Sequence, residues 1–446
     1  MNSTSVNDFL DEKLRLYSAH SNVRGIPFVG DGFKQAQRKA LWGMIRRGEA
    51  ADKDTVERIS AGIASVTDYH HGVGSLESTV VGMAQSFAGS NNIPLFEAHG
   101  QFGNRLNKKP SASRYIKSRL STAFRQLFKK EDDLILENNI SNGMQVEPRF
   151  FTPLLPLVLV NGAEGMGTGH STYILSYNPA DLKKSISSLL ANKKLEPNRL
   201  VPWWTGFAGT VERDPSGQVV IRGRYEIEHR RIGAVIRVTE LPVGLQSDAY
   251  EAHLQKLEDR GLITSYDNLS EQEGFEFVLA VPRHSRLLQA DHEELLKQLK
   301  LVSRETENLT VWNGQGQLER FDSVEALLEH WTAWRLEQFE RRRQAQIKKI
   351  GQDVAWASER VRFIQFYLSN VEFFRDTGRE PLLERLRAED FSDPERLLGM
   401  PIYNLTRDQI ARLEAELDEL RERAGQLEGT TARAIFKQEL DQLPVK

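Results

Sequence analysis

Residues 69–116 read YHHGVGSLESTVVGMAQSFAGSNNIPLFEAHGQFGNRLNKKPSASRYI. Within this stretch, residues 75–89 have the apolar spacing of a helix and a serine–glutamate start typical of a helix N-terminus. The following loop, residues 100–114, is rich in Gly, Asn, Ser and Lys. Residues 100–130 contain nine Lys or Arg and no Asp or Glu. A helix followed by a basic segment predicts a surface that binds a polyanion, with a solvated charged face as the alternative.

Two further helices are predicted before this stretch. DGFKQAQRKALWGMIRRG, residues 31–48, places its apolar residues on one helical face, and residues 55–66 continue the helical pattern. A fourth helix is predicted over residues 115–128, YIKSRLSTAFRQLF. Three short helices followed by a basic loop predict a helix-turn-helix or winged-helix DNA-binding domain, although any small helical subdomain would share the helices.

A chain of 446 residues allows two to four domains at about 100–200 residues each. The predicted secondary structure of the remaining residues changes twice along the chain. Up to about residue 318, strands such as AVIRVTELP alternate with helices such as AYEAHLQKLEDRG, which predicts an α/β region. Residues 323–375 and 406–427 then predict two long helices, separated by a segment that contains three prolines. Leucine spacings of three and four in the second helix are typical of an antiparallel coiled coil.

Composition excludes several classes of protein. The chain has no cysteine, which excludes a disulfide scaffold, a Cys-ligated zinc site and a cysteine nucleophile. The start, MNSTSVNDFLDEKL, lacks the apolar core of a signal peptide, and the longest apolar run, residues 154–160, is too short to cross a bilayer. We therefore expect a soluble, intracellular protein that does not bind membranes. The net charge of −3 does not by itself indicate a nucleic-acid partner, so the local basic segment carries that inference.

Two patterns could be mistaken for cofactor sites. The glycine cluster in PLVLVNGAEGMGTG resembles a dinucleotide-binding fingerprint, but its spacing differs and no helix is predicted after it. The chain also lacks the G-x-x-x-x-G-K-[ST] pattern of a phosphate-binding P-loop. His70 and His71 are adjacent and belong to no H-E-x-x-H motif, so we predict no metal ligands in this chain and expect hydrogen bonds to phosphate or backbone instead.

Tyr115 is the residue in the basic segment best suited to covalent chemistry. A tyrosine phenolate can attack a phosphodiester in line and form a phosphotyrosyl ester, which conserves the bond energy for resealing. The phenol must first lose its proton, and neighbouring cations such as Arg114 stabilise the charge that develops. Most tyrosines are structural, so the local chemistry makes Tyr115 a candidate nucleophile and no more.

Several motifs resemble the breakage-reunion region of type IIA DNA topoisomerases. They are YHHG…GSNN…GQFG…SASRYI, DGFKQAQRKALWGM, VEPRFFTPLLPLVLVNGAEGMGTGHS, TELP at residues 239–242 and NLT at residues 404–406. The match runs in order over nearly the whole chain. The YHHG…GSNN…GQFG variant is more similar to the eukaryotic and T-even phage enzymes than to bacterial gyrase, and the short chain resembles the medium subunit of a T4-like phage topoisomerase.

The resemblance, together with the patterns above, implies a mixed α/β multidomain fold. Its expected parts are an N-terminal arm at residues 1–24, a winged-helix domain at 25–145, an α/β tower at 146–320, and at 321–446 a long antiparallel coiled coil ending in a small helical dimerisation globule. A symmetric homodimer would close a gate at that globule, and two tyrosines would cut the two DNA strands.

The resemblance also assigns roles to individual residues. The catalytic set comprises Tyr115 as nucleophile, Arg114 beside it, Arg38 as the residue that stabilises the transition state, and His71 near the scissile phosphate. The predicted DNA-binding residues are Lys34, Lys39, His70, Arg105, Lys108, Lys109, Lys117, Arg119 and Met166. Met166 stands where the family has an isoleucine that wedges between base pairs, and Gln35 replaces a family proline.

The remaining requirements of such an enzyme are expected from other chains. No ATPase fingerprint and no acidic E…D-x-D metal cluster occur in the sequence. We therefore expect a large partner subunit, of one or two chains, to bind ATP and to supply Mg²⁺ from a Toprim-like domain. The other partners are duplex DNA and a second copy of the chain, and the expected location is the cytoplasm, that of an infected host cell if the phage resemblance holds.

Two other classes of protein stay open at this point. A non-catalytic DNA-binding or architectural protein of the same fold would not need Tyr115. A recombinase-type tyrosine enzyme would need an Arg-His-Arg set in another arrangement and would not need a long coiled coil.

Overall fold

A computed structural model of the chain describes residues 6–48, 51–271 and 274–445. Its contacts divide the chain into two compact units. The first contains the residues up to Lys130, Leu136–Arg335 and the C-terminal residues from Glu439, and the second contains Glu131–Ile135 and Leu336–Gln438. Helices and several sheets are both present, which confirms the mixed α/β class. The domain limits at residues 24, 145 and 320 stay a prediction.

The N-terminal part of the first unit is helical, and the apolar spacing predicted its helices within residues 31–48, 55–66 and 75–89. Its helices are Val6–Asp8, continued by the π-helical segment Phe9–Leu14 and by Arg15–Gly25, then Gln35–Arg47, Val56–Val66, Val73–Ala84 and Thr122–Leu127. The helix predicted over residues 31–48 begins only at Gln35, because the buried Asp31 carboxylate accepts a hydrogen bond from the Phe33 N–H and holds a turn there. The helix predicted to reach residue 89 ends at Ala84, where the next residue takes extended backbone angles.

The prediction of a helix over residues 115–128 is wrong. Lys117–Leu120 is a strand, the middle one of a three-stranded antiparallel sheet between Asp54–Thr55 and Phe96–His99. Its side chains alternate between exposed and buried, so the segment satisfies a strand pattern as well as a helical one. A separate helix starts after Ser121, whose hydroxyl oxygen accepts its first capping hydrogen bond. Pairing with strands distant in sequence thus overrides the local preference.

A β-hairpin follows the helices of this region. Its strands are Asn138–Ser141 and Met144–Pro148, and the two residues between them, Asn142 and Gly143, have φ angles of 47° and 79°. Positive φ at both positions is the requirement of a type I′ turn, which Asn-Gly meets best. Helices, a three-stranded sheet and this hairpin are the elements of which a winged-helix domain is built.

The rest of the first unit is α/β, as predicted. Its helices are Leu157–Val160, Pro179–Leu190, Ser247–Asp259 and His292–Gln298, with a 3₁₀ turn at Arg286–Leu288. One antiparallel sheet has the strand order Arg224–His229, Ala234–Glu240, Phe277–Val281, Ser265–Asn268. Another has the order Val302–Glu305, Val219–Arg222, Thr210–Arg213, and two hairpins pair Ala163–Gly167 with His170–Ile174 and Thr310–Trp312 with Leu318–Arg320. Apolar side chains of the four-stranded sheet and the Ser247–Asp259 helix share one buried core.

Close backbone packing explains the glycine cluster NGAEGMGTG. The strand Ala163–Gly167 packs against the helix Arg15–Gly25 so tightly that a Cβ atom on Gly165 would lie 2.0 Å from the carbonyl oxygen of Gly25. Only glycine fits this approach. The next segment, His170–Ile174, is a strand and not the helix that a dinucleotide-binding fingerprint requires, as the sequence predicted.

Long helices dominate the second unit. Val324–Ser369, which starts in the first unit, is followed by Val371–Asp376, Arg379–Ala388, Pro394–Leu398, Arg407–Gly429 and Ala432–Gln442, with a 3₁₀ turn at Ile402–Asn404. Arg343 donates a hydrogen bond to the carbonyl oxygen of Leu427, whereas Arg360 pairs with Glu416. Residue numbers rise along one helix as they fall along the other, which confirms the antiparallel pair. The final helix was not predicted.

A small aromatic core joins the short helices between the two long ones. Its buried residues are Phe363, Leu386, Phe391 and Leu397. This is the globule expected at the end of the coiled coil. Across the three described ranges, no helix combines the length and the apolar content needed to cross a membrane.

Candidate functional site

Tyr115 is an exposed side chain on a fixed backbone. Tyr115 is 69% exposed, while the next residue, Ile116, is buried. The carbonyl oxygens of Ser113 and Ile116 accept hydrogen bonds from the first two backbone N–H groups of the helix Val56–Val66. The guanidinium carbon of Arg114 lies 4.9 Å from the centroid of the Tyr115 ring, which brings a cation to the phenol. The chain thus presents a phenol and a positive charge to solvent from a fixed backbone.

The strand that follows adds two exposed cations. Lys117 and Arg119 lie on the exposed side of the three-stranded sheet. The Nε of Arg119 donates to the Glu97 carboxylate at 2.7 Å, and His99 lies 2.9 Å from the same oxygen. Burial alone would raise the pKa of Glu97, but the hydrogen bonds from Arg119 and His99 outweigh it and hold that pKa below its ordinary value. Lys117 is therefore the cation of this strand better placed to meet a phosphate.

The basic loop does not present all its cations to solvent. Lys109 is exposed, whereas Lys108 is half-buried, and burial lowers the pKa of its ammonium. Arg105 is buried: its guanidinium donates to the carbonyl oxygens of Leu241 and Pro242 at 2.7 and 3.1 Å. The DNA contact expected of Arg105 stays a prediction, although both of its Nη groups are bound inside the fold.

Arg38 is held by an acid that the sequence reasoning did not single out. The buried carboxylate of Asp31 accepts from Arg38 Nε at 2.7 Å and from Nη2 at 3.1 Å. The same carboxylate accepts from the backbone N–H groups of Phe33 and Phe151. Asp31 stands in the quoted DGFK segment, so its place in that motif was the available signal. Arg38 is consequently fixed in orientation and only slightly exposed.

Lys39, the neighbour of Arg38, is buried. Its Nζ donates to Glu147 Oε2 at 2.9 Å and to the carbonyl oxygen of Thr67 at 2.6 Å. Burial raises the pKa of Glu147, although the Lys39 ammonium opposes that rise. This lysine thus ties the helix Gln35–Arg47 to the hairpin, and its contact with the DNA backbone stays a prediction.

The two adjacent histidines are exposed and lie on a short segment between helices. His70 Nε2 lies 3.3 Å from the Asp68 carboxylate, and the ring of His71 packs edge-on against Tyr69. Asp68 also accepts hydrogen bonds from Ser141 and Asn142 of the hairpin. The Ser141 hydroxyl is the main cause that lowers the pKa of Asp68. Asp68, which the sequence reasoning missed, thus connects the histidine segment to the hairpin.

Met166 projects from the hairpin Ala163–Gly167/His170–Ile174. It pairs with Ser171 in the register of the two strands, and its side chain is 82% exposed. Lys34 lies close by, since its Nζ donates to the carbonyl oxygen of Glu164 at 3.0 Å. Met166 therefore presents a long apolar side chain to solvent beside the Lys34 ammonium.

A cleft of about 1330 Å³ in the first unit collects several of these residues. Of the predicted site residues, the cleft is lined by Lys34, Lys39, His70, His71 and Met166. Its wall also includes His20 and Arg24 of the helix Arg15–Gly25, which the sequence reasoning did not single out. Their spacing of four residues on one helical face was the available signal. Of the described residues that line the cleft, none belongs to the loop that carries Arg114 and Tyr115.

The described residues do not form a metal site. Within residues 6–48, 51–271 and 274–445, no group of three or more His, Asp or Glu side chains is arranged to hold a metal ion.

Comparisons with known proteins match nearly the whole length of the chain. The family model that describes the DNA gyrase/topoisomerase IV A-subunit matches residues 24–441. DNA topoisomerase 2 of Arabidopsis thaliana is 31% identical over 490 residues, covering 98% of this chain and 33% of the relative. DNA topoisomerase 2 of Crithidia fasciculata is 31% identical over 448 residues, covering 98% of this chain and 35% of the relative. The chain thus spans about a third of the length of these relatives.

A solved structure matches the fold. The crystal structure of the Plasmodium falciparum topoisomerase II DNA-binding, cleavage and re-ligation domain superposes with a TM-score of 0.88 and 29% identity, covering 98% of this chain and 63% of that one. These findings confirm the resemblance to type IIA topoisomerases that the motifs indicated. The chain belongs to the DNA gyrase/topoisomerase IV A-subunit family.

Proposed function

We propose that this chain is the DNA-cleaving and rejoining part of an ATP-dependent type II DNA topoisomerase, an isomerase. The Tyr115 phenol first loses its proton, and the phenolate oxygen attacks a DNA phosphorus atom. The bond from phosphorus to the 3′ oxygen breaks, and that oxygen takes up a proton and leaves as the 3′ hydroxyl. The product is a transient 5′-phosphotyrosyl ester. Attack by the 3′ hydroxyl reverses the step and releases tyrosine. The observation that carries the proposal is the exposed Tyr115 with Arg114 over its ring, at the end of a rigid basic loop.

The cleft supplies some of the other proposed contacts. Lys34, His70 and His71 bind DNA phosphates there, and Met166 inserts between base pairs, as an apolar wedge that kinks DNA does. Arg38 stabilises the charge of the transition state, with its orientation fixed by Asp31. Lys109 and Lys117 add phosphate contacts along the basic segment.

Metal and nucleotide chemistry are proposed to come from a partner subunit of one or two chains. Phosphoryl transfer needs charge neutralisation at the attacking and leaving oxygens, which Mg²⁺ provides in many enzymes. The described residues offer no fitting ligand set, so no step of the mechanism above depends on a metal held by this chain. The aligned relatives are about three times as long, and their remaining length has room for such functions.

Assembly and origin are also proposals. We infer a homodimer through the globule, where Tyr403 is 78% exposed. Light scattering at micromolar concentration tests the homodimer, and a monomer would contradict it.

On the motif resemblance alone we propose a bacteriophage origin, a role in DNA replication and a location in the cytoplasm of the infected cell. Sequencing the DNA that flanks the gene tests the origin.

Trapping the covalent intermediate tests the main proposal. The chain is mixed with the large subunit, Mg²⁺ and end-labelled duplex, and SDS is added. We expect a protein–DNA adduct linked to the 5′ end. Tyr115→Phe should abolish it, because phenylalanine lacks the attacking oxygen. Tyr266→Phe is the control, since Tyr266 lies on an edge strand of the four-stranded sheet, outside both the cleft and the proposed dimer contact.

The same experiment separates the other two classes of protein. An architectural protein would bind the duplex and give no adduct with any variant. A recombinase-type enzyme would give an adduct to the 3′ phosphate. An adduct that survives Tyr115→Phe would refute the assignment of the nucleophile.

A further inference from the structure

The basic loop is anchored at its far end by one arginine. The guanidinium of Arg105 donates to three carbonyl oxygens of a single turn, those of Leu241, Pro242 and Leu245, at 2.7, 3.1 and 3.3 Å. Glu240 Oε1 lies 3.4 Å from Arg105 Nη2, the atom that donates to Leu241 and Pro242. The guanidinium also stacks on the ring of Phe275, 5.0 Å from its centroid.

The receiving turn is itself fixed. Both oxygens of Glu240 are occupied, since Oε1 also accepts from the backbone N–H of Leu241 and Oε2 accepts from that of Ala208. Leu106, the residue after Arg105, packs against the apolar core of the four-stranded sheet. A cation that is removed from solvent and bound by backbone carbonyls and a carboxylate is part of a built anchor and not of a solvated surface.

The anchor is connected to Tyr115 by a series of hydrogen bonds. Asn104 closes the turn at the loop tip through its backbone N–H and through its Oδ1. The Gln85 side-chain amide donates to the carbonyl oxygens of Phe102 and Lys108. Ser111 then donates its backbone N–H to Gln101, which crosslinks the two arms of the loop just before the Ser113–Ile116 segment. The loop therefore has two fixed ends, the arginine anchor and the helix start beneath Tyr115.

We propose that Arg105 is a positioning residue for Tyr115: it holds the basic loop against the four-stranded sheet so that the phenol meets the phosphate in line. This inference rests on the proposed function. Arg105 touches neither the phenol nor a bound phosphate and acts through the loop. Release of the anchor lets the loop tip move, and a displacement of about 1 Å at a reacting group can reduce the rate about 10²-fold.

Two substitutions at Arg105 and one control test this role. Arg105→Ala removes every donor, and Arg105→Lys keeps the charge with a single donor atom that cannot reach all the carbonyl oxygens. Lys109→Ala removes an exposed cation from the same loop. Each full-length variant is assembled with Mg²⁺ and the large subunit. Three quantities are measured: the single-turnover rate of adduct formation at saturating DNA, the Kd for duplex, and the melting temperature.

We expect Arg105→Ala to lower the rate of adduct formation about ten- to hundredfold at temperatures well below its melting transition, with a Kd within about twofold of the parent. Arg105→Lys should restore part of the rate. Lys109→Ala should weaken the Kd for duplex and reduce its salt dependence, because it removes a proposed phosphate contact. The rate effect at saturating DNA separates positioning from phosphate binding.

Three results would overturn the proposal. One is a weakened Kd in Arg105→Ala with an unchanged rate at saturation, which is the signature of a DNA contact. Another is a rate that falls only in proportion to the unfolded fraction, which is the signature of a general stability effect. The third applies if Arg105→Ala does not fold: a folded Arg105→Lys that forms the adduct at the parent rate would then overturn the proposal. Failure of the parent chain itself to form an adduct would refute the proposed function instead.

Discussion

The Nζ atom of Lys39 lies 2.9 Å from Oε2 of Glu147, and both side chains are buried. We expect Lys39→Met to destabilise the first unit by about 3–5 kcal/mol, because it leaves a buried carboxylate without its cation. The double variant Lys39→Met/Glu147→Leu should lose less stability, since it buries neither charge. Urea unfolding of the three proteins measures this. Equal losses in the single and double variants would show that the pair does not interact as the geometry indicates.

The same pair predicts a pH dependence of defined sign. Burial raises the pKa of Glu147 above its ordinary value of 4.5, with Lys39 opposing the rise, so Lys39→Met raises that pKa further. A carboxyl with a raised folded-state pKa stabilises the fold below its unfolded pKa and loses this contribution as pH rises through the folded pKa. The stability gap between parent and Lys39→Met should therefore widen from pH 4.5 upward. A difference in stability that narrows as pH rises above this value would contradict the inference that Lys39 opposes the rise in the pKa of Glu147.

Glu97 predicts the opposite sign. Despite burial, hydrogen bonds from Arg119 and His99 hold its pKa below the ordinary value of 4.5. The stabilisation by the charged form is present above pH 4.5 and is lost as pH falls through the lowered pKa. Glu97→Gln should be less stable than the parent at neutral pH and equal to it in acid. Thermal melts across the acid range check this, with Glu137→Gln as an exposed control.

Met166 should affect DNA and not the fold. Because its side chain is 82% exposed, Met166→Ala should change the free energy of unfolding by less than about 0.5 kcal/mol. It should nevertheless reduce the bend of bound duplex, measured by energy transfer between end labels, because alanine cannot reach between base pairs. Met166→Ile should retain the bend. Ile232→Ala is the control, since Ile232 is 85% exposed outside the cleft. An unchanged DNA bend with Met166→Ala would refute the proposal that Met166 inserts between base pairs.

Gly165 is predicted to tolerate no side chain. Its Cβ would lie 2.0 Å from the carbonyl oxygen of Gly25, so Gly165→Ala must push the helix Arg15–Gly25 away from the hairpin. We expect a loss of about 1–3 kcal/mol, as for other overpacked sites. Gly74→Ala is the matched control: no atom lies within 4 Å of its Cβ, and alanine favours its helix. Equal stability of Gly165→Ala and the parent would contradict the close packing.

The spacing of apolar residues predicted those elements whose sequence fits only a helix or only a strand. The helices Val56–Val66 and Ser247–Asp259 and the strand Ala234–Glu240 lie where periodicity placed them. The strand Lys117–Leu120 was missed because its residues fit a helix equally well, and only pairing with Phe96–His99 decides between the two.

What the sequence determined by itself was the basic segment, the tyrosine within it and the long coiled coil, since each depends on residues near one another in the chain. The tertiary structure decided which cations reach solvent. Arg105 is bound by Glu240, 135 residues away, and Lys39 by Glu147, 108 residues away. A charge is buried only where a distant partner compensates its desolvation, and no local pattern records that partner. The same nine-cation segment therefore contains both surface residues and an internal anchor.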